Sequence, residues 1–472
     1  MVPMKKSGMS NKIRIVSPIN GSVVAERMLA SNQEISSCLE NAVESQSRWA
    51  KKSVKERAVV CHRAIDYLVD NMEKIAKEVT LQMGRPIRYA QGEISGLEER
   101  ARYMIEIAQL QLEKISVGDK PQHNRFIRRE PLGVVFTIAP WNYPYLTAVN
   151  SVIPALMAGN SVILKHSAQT LLCAERFYEA FKEAGLDHGV FQYLHLNHKQ
   201  TADIIKDKRI NFISFTGSVS GGEKIEEAVS GLFKGVALEL GGKDPAYVRN
   251  DANLKQSVED LVEGAFFNSG QSCCAIERIY VHKDVYKKFI DTYVNMVKNF
   301  KLGESLDYDV TIGPMVNAKA ANYVRQQIKQ ACDMGAIAHI DESEFVMSQP
   351  GTAYLAPQVL TEVNHQMSVM MDESFGPVVG IMKVEGDAQA IELMNDSPYG
   401  LTASIWTADE SSAIKIGEQI QTGTVYMNRC DYLDPALAWV GVKRSGRGCS
   451  LSSLAYDQLT RPKSYNLKFP VS

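Results

Sequence analysis

Cys273 stands in the run Gly270-Gln271-Ser272-Cys273-Cys274, among small and polar residues between a helix-like stretch and a strand-like one. That setting suits a thiol presented as a nucleophile, although a lone cysteine is more often a small buried hydrophobe. The question is whether other segments supply what such a thiol needs. Asn142, in Pro140-Trp141-Asn142-Tyr143-Pro144, has its backbone held between two prolines and is able to aim an amide N–H at a developing oxyanion. Glu239, in Ala237-Leu238-Glu239-Leu240-Gly241-Gly242-Lys243, is bounded by leucines, and desolvation there would make its carboxyl a better general base. Glu373, before Ser374-Phe375-Gly376-Pro377, is placed to accept hydrogen bonds from sugar hydroxyls. Taken singly, a turn asparagine, a lysine-paired glutamate and a solvated loop acid are the commoner fates of these three. Thr216-Gly217-Ser218-Val219-Ser220-Gly221-Gly222 offers glycines and small hydroxyls at a strand-to-helix junction, where a diphosphate can approach free backbone N–H groups. It is not the Gly-x-Gly-x-x-Gly fingerprint and is weak evidence by itself.

These segments need a scaffold. Residues 32–110 read as helices, with Leu68, Val69, Met72, Ile75, Ala76 and Val79 at helical spacing and Gly84-Arg85-Pro86 as a stop. From Gly133 onward strands and helices alternate. Val134–Ile138, Ser161–Leu164 and Asn211–Phe215 read as buried strands, with helices over Val149–Ala158, over Leu171–Ala184 and from about Ser220. A second alternating region from about Gly242 to Tyr426 has strands near Ile279–Val281 and Val378–Val384, and helices near Val285–Phe300 and Ala318–Met334. Two α/β units with parallel sheets follow, with ligands beyond the C-terminal strand ends, where Lys165 and Thr216-Gly217-Ser218 fall. Ser464–Phe469 reads as a strand with no evident partner in either unit, ended by Pro470.

The 472 residues are too many for one simple core. Lys plus Arg number 52 against 54 Asp plus Glu, a balance that gives no reason to expect nucleic acid or an anionic membrane as partner. The eight cysteines are sparse and lack paired metal-ligand spacing, so reduced thiols in a cytoplasmic compartment are expected, and no metal site. The adjacent Cys273 and Cys274 are poor geometry for an unstrained disulfide. The first 17 residues hold Lys5, Lys6 and Arg14 but no apolar core, which argues against a secretory signal, and no stretch approaches a membrane span. The segment to about Asn11 is expected to be a disordered tail.

Taken together, the ordered segments resemble the aldehyde dehydrogenase superfamily. Pro140-Trp141-Asn142-Tyr143-Pro144, Phe215-Thr216-Gly217-Ser218, Glu239-Leu240-Gly241-Gly242-Lys243, Gly270-Gln271-Ser272-Cys273 and Glu373-Ser374-Phe375-Gly376-Pro377 stand in family order, and Tyr399-Gly400-Leu401 and Lys443-Arg444-Ser445-Gly446 extend the match. The resemblance runs from about Ile15 to Lys468. It implies a Rossmann-like nicotinamide-binding domain (residues 12–110 and 131–241), an α/β catalytic domain (242–450) and a small β oligomerisation arm (111–130 and 451–472). It maps the nucleophile to Cys273 and not Cys274, the oxyanion donor to Asn142 and the general base to Glu239. Lys165, Gly217, Ser218, Gly222, Trp141, Leu240, Glu373 and Phe375 become contacts for NAD or NADP. The implied reaction oxidises an aldehyde to a carboxylic acid through a covalent cysteine thiohemiacetal and thioester. The extended arm implies a homodimer or homotetramer.

The chain departs from the family's pattern in three places. After Lys165 the family commonly carries Pro-Ser-Glu; here His166-Ser167-Ala168 stands, so the carboxylate that grips the adenosine ribose is missing and a 2′-phosphate would meet no repulsion. NADP is therefore expected to be accepted. Among Tyr145–Val152 there is neither an arginine for the distal carboxylate of a semialdehyde nor the tryptophan of betaine aldehyde members, while Lys165-His166 resembles a short bacterial succinate-semialdehyde subgroup. Arg447-Gly448-Cys449-Ser450 replaces a more usual Gly-Arg-Glu. Two other functions compete. A CoA-acylating semialdehyde dehydrogenase generally lacks the base that Glu239 supplies, and a catalytically silent scaffold has no use for Cys273, Asn142 and Glu239 together.

Overall fold

The apolar runs expected as strands form two mainly parallel sheets in the computed structural model, which describes residues 11–470. The first sheet has the strand order Gly446–Arg447, Gly235–Glu239, Phe212–Thr216, Val134–Ala139, Ser161–His166, Phe191–Tyr193. Every neighbouring pair is parallel except the first, where Gly446 pairs antiparallel with Glu239. Val134–Ala139 lies near the middle and is buried at all six positions, as a strand covered on both faces must be. The second sheet runs Ile337–Ala338, Gln358–Thr361, Val378–Val384, Ile276–His282, Asp244–Val248, Thr402–Trp406, Thr424–Met427, and only Ile337–Ala338 is antiparallel to its neighbour. The α/β class and the two parallel sheets read from the sequence are thus present.

Helices cover these sheets in the expected regions, with shifted ends. Residues 32–110 form the helices Asn32–Trp49, Val54–Asp70, Met72–Met83, Ile87–Ala90 and Gly92–Gln111, and Gly84 ends the third with φ 87°, a left-handed cap that glycine adopts freely. The helix expected from Val149 begins earlier, at Pro144. Its first turn has no side-chain cap of its own; instead the Glu93 carboxylate, from another helix, accepts the N–H groups of Tyr145 and Leu146 at 2.8 and 3.0 Å. A cap from a distant element leaves no local sequence signal.

The C-terminal strand is longer than expected, Thr460–Lys468, and it does have a partner. It pairs antiparallel with His123–Pro131 along its full length, and Phe126 stacks on Tyr465 with centroids 4.6 Å apart. The two ends of the proposed arm therefore complete each other in a three-stranded sheet with Ile115–Ser116. Just before this strand, Leu451, Ala455, Tyr456 and Leu459 are buried in the large core that also holds the helices Gly92–Gln111 and Pro144–Met157. The proposed disordered tail lies outside the described residues apart from Asn11. No described helix is long and apolar enough to cross a membrane.

Candidate active site

The segment that carries Cys273 follows the helix Leu254–Phe266 through a tight reversal. Asn268, Ser269 and Gly270 all have positive φ, 54°, 58° and 69°. A Cβ on Gly270 would lie 2.3 Å from the Gly376 carbonyl oxygen, so only glycine fits there. The turn is held by side chains: Ser269 Oγ donates to the Gly313 carbonyl at 2.8 Å, Gln271 Nε2 donates to Asn268 O at 3.0 Å, and Gln271 Oε1 accepts the Val316 N–H at 2.7 Å.

This anchoring treats the two adjacent thiols differently. Cys274 is buried and its Sγ donates to Asp431 Oδ1 at 2.9 Å, beside the Ser272 hydroxyl donating to the same oxygen at 2.9 Å. Contact with the Cys273 thiol and burial push the Cys274 thiol well above the usual thiol range. Cys273 is half-buried and opens into a cavity of about 530 Å³. Glu239, Thr216, Arg100, Asn150 and Trp439 also line that cavity.

Glu239 ends the strand Gly235–Glu239 and brings a carboxylate to this space from the first sheet. Its Oε2 accepts the Thr216 hydroxyl at 3.2 Å and its Oε1 accepts the Ser450 hydroxyl. Burial raises its pKa above the ordinary carboxylate range, opposed by those two hydroxyls. Ser450 belongs to the stretch that departs from the family's pattern. That stretch folds back so that Gly446 pairs with Glu239, and a hydroxyl reaches the carboxylate from there.

Asn142 is buried, and its Nδ2 donates to the Gln271 carbonyl at 3.2 Å, which ties it to the segment that carries Cys273. The amide carries a second hydrogen. Its backbone is held by a residue that pattern reading passed over as part of a helix stop. Arg85 Nη2 donates to Asn142 O at 2.6 Å, Nε donates to Asn268 Oδ1 at 3.2 Å, and Nη1 forms a buried ion pair with Glu93. The guanidinium also lies 4.6 Å from the centroid of the Tyr143 ring.

The eight residues mapped to the cofactor do not line this cavity. They gather at the C-terminal strand ends of the first sheet and the loop facing them. Glu373 accepts the Gly242 N–H at 3.0 Å, and a Cβ on Gly241 would lie 2.3 Å from its Oε2, so the glycine pair cradles the carboxylate. Burial, with Glu277 nearby, pushes the Glu373 carboxyl up to about 8. Phe375 meets Trp141 edge to face at 5.6 Å. Behind them a buried Lys243–Glu277 ion pair shapes the loop, because Glu277 accepts the Ser374 and Phe375 N–H groups at 2.8 and 2.9 Å. Ser218 caps the helix Val219–Val229, its Oγ accepting the Gly221 N–H at 3.2 Å. Gly217 stands beside the Phe215 ring, and Gly222 leaves room for Leu240, whose side chain a Cβ there would meet at 2.6 Å.

Lys165, next to last in the strand Ser161–His166, has its pKa lowered by burial and has no ion-pair or hydrogen-bond partner among the described residues. A partly buried, unpaired ammonium, a capped helix start and a half-buried carboxylate that forms no ion pair of its own among the described residues make a donor and acceptor set that suits a dinucleotide. His166 is committed elsewhere: its Nε2 lies 3.0 Å from Pro144 O and its Nδ1 3.1 Å from Thr170 Oγ1, and burial pushes it down to about 4. Ala168 begins a single 3-10 turn and offers no carboxylate to a ribose.

Known proteins resemble this chain over most of its length. The sequence profile of the aldehyde dehydrogenase family matches residues 5–465. A succinate-semialdehyde dehydrogenase [NADP(+)] of Deinococcus radiodurans is 32% identical over 450 residues, covering 95% of this chain and 93% of the relative. Succinate-semialdehyde dehydrogenase [NADP(+)] 1 of Mycobacterium tuberculosis is 30% identical over 446 residues, covering 93% and 96%. Among solved structures, succinic semialdehyde dehydrogenase from Streptococcus pyogenes, in complex with NADP+, superposes with a TM-score of 0.92 at 28% identity, covering 97% of this chain and 100% of that one.

Proposed function

The chain belongs to the aldehyde dehydrogenase family and oxidises an aldehyde with NAD(P)+; we propose that Cys273 is its nucleophile, Asn142 its oxyanion donor and Glu239 its general base. The observation that carries this reading is the contrast between the two thiols: Cys274 is buried and bonded to Asp431, while Cys273 shares one cavity with Glu239.

In this reading the thiolate of Cys273 attacks the aldehyde carbon and forms a thiohemiacetal. The free N–H of the Asn142 amide stabilises the developing oxyanion, a contribution of roughly 3–4 kcal/mol per donor in comparable acyl chemistry. NAD(P)+, when bound, supplies the acceptor for the hydride that leaves the same carbon. Lys165 and Ser218 would hold its adenosine and phosphate side, and Glu373 and Phe375 its nicotinamide side. Oxidation leaves a thioester on Cys273. Glu239 takes a proton from water, the hydroxide equivalent attacks the thioester, and the carboxylic acid departs as Cys273 is restored.

Lys165, unpaired and with no acid at Ala168, supports use of NADP; the named relatives are NADP(+) enzymes. Their substrate makes a four-carbon ω-oxo acid the first aldehyde to try. An aldehyde panel with NAD+ and NADP+ tests the whole reading. Cys273→Ala is expected to abolish turnover of every aldehyde, and Lys165→Ala to raise KM for NADP+ more than for NAD+. Turnover surviving in Cys273→Ala would refute the assignment.

A further inference from the structure

Within the cavity that holds Cys273, two donor groups have hydrogens without acceptors. Arg100, on the helix Gly92–Gln111, is only 9% exposed. Its Nη1 donates to the Leu146 carbonyl at 2.8 Å and lies 3.5 Å from Asn150 Oδ1. Its Nε and Nη2 donate to no acceptor among the described residues, and it forms no ion pair there. Asn150 is 3% exposed, and its Nδ2 is buried without any hydrogen-bond partner. Flipping that amide would set donor against donor at Arg100, so the observed orientation is the consistent one.

The helices bring the two together. Gly96 lies one turn before Arg100, and a Cβ there would come within 2.6 Å of Leu146 Cδ2. Glycine at that point lets Gly92–Gln111 approach Pro144–Met157 closely enough for Arg100 to reach Leu146 and Asn150. Arg100 also lies close enough to Glu93, Cys274, Glu239 and Cys273 to interact with each of them electrostatically. None of the cavity's acids is hydrogen-bonded or ion-paired to Arg100 among the described residues: Glu99 and Glu263 are exposed, Asp260 is half-buried, Glu99 accepts the Tyr432 hydroxyl at 2.7 Å, and Glu239 accepts the Thr216 and Ser450 hydroxyls. Asp431 is occupied by Ser272 and Cys274.

A buried guanidinium and a buried amide with spare N–H groups are costly unless a ligand supplies acceptors. We infer that Arg100 and Asn150 bind the distal carboxylate of the substrate, so that the aldehyde oxidised at Cys273 is a short ω-oxo carboxylic acid. This rests on Cys273 being the nucleophile. A carboxylate offers two oxygens to the two donors, and the charge-assisted contact favours it over a neutral or cationic end group. The arginine absent from Tyr145–Val152 is thus supplied from the preceding helix.

Steady-state kinetics with three four-carbon aldehydes test this: 4-oxobutanoate, butanal and 4-aminobutanal. The wild-type enzyme should show kcat/KM for 4-oxobutanoate exceeding that for butanal by at least about 10-fold. In Arg100→Met that ratio should fall by roughly 10- to 100-fold, mainly through KM. Asn150→Asp, which places a second negative charge at the site and leaves Arg100 intact, should also lower the ratio and covers the case that Arg100→Met does not fold. A wild-type ratio near one, a preference for 4-aminobutanal, or an equal loss for 4-oxobutanoate and butanal in both variants would overturn the inference. The last outcome would make Arg100 a support for Cys273 or Glu239 instead. Turnover of butanal lost in Cys273→Ala would leave the nucleophile standing even if the carboxylate preference failed.

Discussion

At the residue scale, the informative groups are those whose surroundings differ from what their type alone predicts. Glu239 has a carboxyl raised above 4.5 by burial. Its basic form is lost as pH falls through that raised value, so kcat should decline on the acid side at a higher pH than an ordinary glutamate would give. Glu239→Gln is expected to remove the proposed base and leave hydride transfer intact. The expected result is a burst of about one NAD(P)H per active site followed by a stall, with the acyl-enzyme visible by mass spectrometry. A linear time course at wild-type rate would exclude Glu239 as the base. Asp431 behaves as a linked titration. Burial raises it from 3.8 to about 6, above its unfolded value. The group therefore contributes stability below about pH 4 that is lost as pH rises through about 6. Asp431→Asn can still accept from Ser272 and Cys274, and should flatten this part of the stability curve. Melting temperatures of the two proteins should differ more at pH 7.5 than at pH 4.5, with the variant gaining at the higher pH. No pH dependence in that difference would refute the linkage.

At the element scale, the geometry around Cys273 depends on a few buried polar links between helices and loops far apart in the chain. Arg85 and Glu93 are 2% and 0% exposed. Together they connect a helix stop, the Asn142 loop, the start of Pro144–Met157 and the left-handed turn before Cys273. Glu93→Ala leaves the guanidinium buried and unpaired and uncaps a helix. A loss of about 3–5 kcal/mol is expected from breaking such a pair, measurable by denaturant unfolding, together with a fall in kcat as Asn142 loosens. A loss below about 1 kcal/mol would show that the pair is not what holds the loop.

At the scale of the whole molecule, the three-stranded arm is the feature a single chain leaves unfinished. Thr460–Lys468 is an edge strand of nine residues, and Leu467 and Phe469 at its end are 46% and 54% exposed. A long edge with exposed apolar residues is a template for pairing with another chain. The arm is expected to join chains in a symmetric dimer or a dimer of dimers. Light scattering should give two or four times 52.4 kDa, and Leu467→Asp should shift the population toward the single chain. A wild-type mass of one chain would refute the assembly.

The sequence by itself determined the fold class, the α/β alternation and the residues of the family's motifs, because these rest on local periodicity and on words that survive in order. It singled out Cys273, Asn142, Glu239 and Glu373, and it noticed that Arg447-Gly448-Cys449-Ser450 departs from the family's pattern. Only the tertiary structure decided what those residues meet. Ser450 reaches Glu239 because an edge strand folds back on the sheet, Glu93 caps a helix 52 residues on, and the C-terminal strand finds its partner more than three hundred residues upstream. Arg100 and Asn150 fall 50 positions apart on two helices, and neither is distinctive in sequence. Hydrogen-bond donors left without acceptors are a property of packing in three dimensions, and no local pattern in a chain records them.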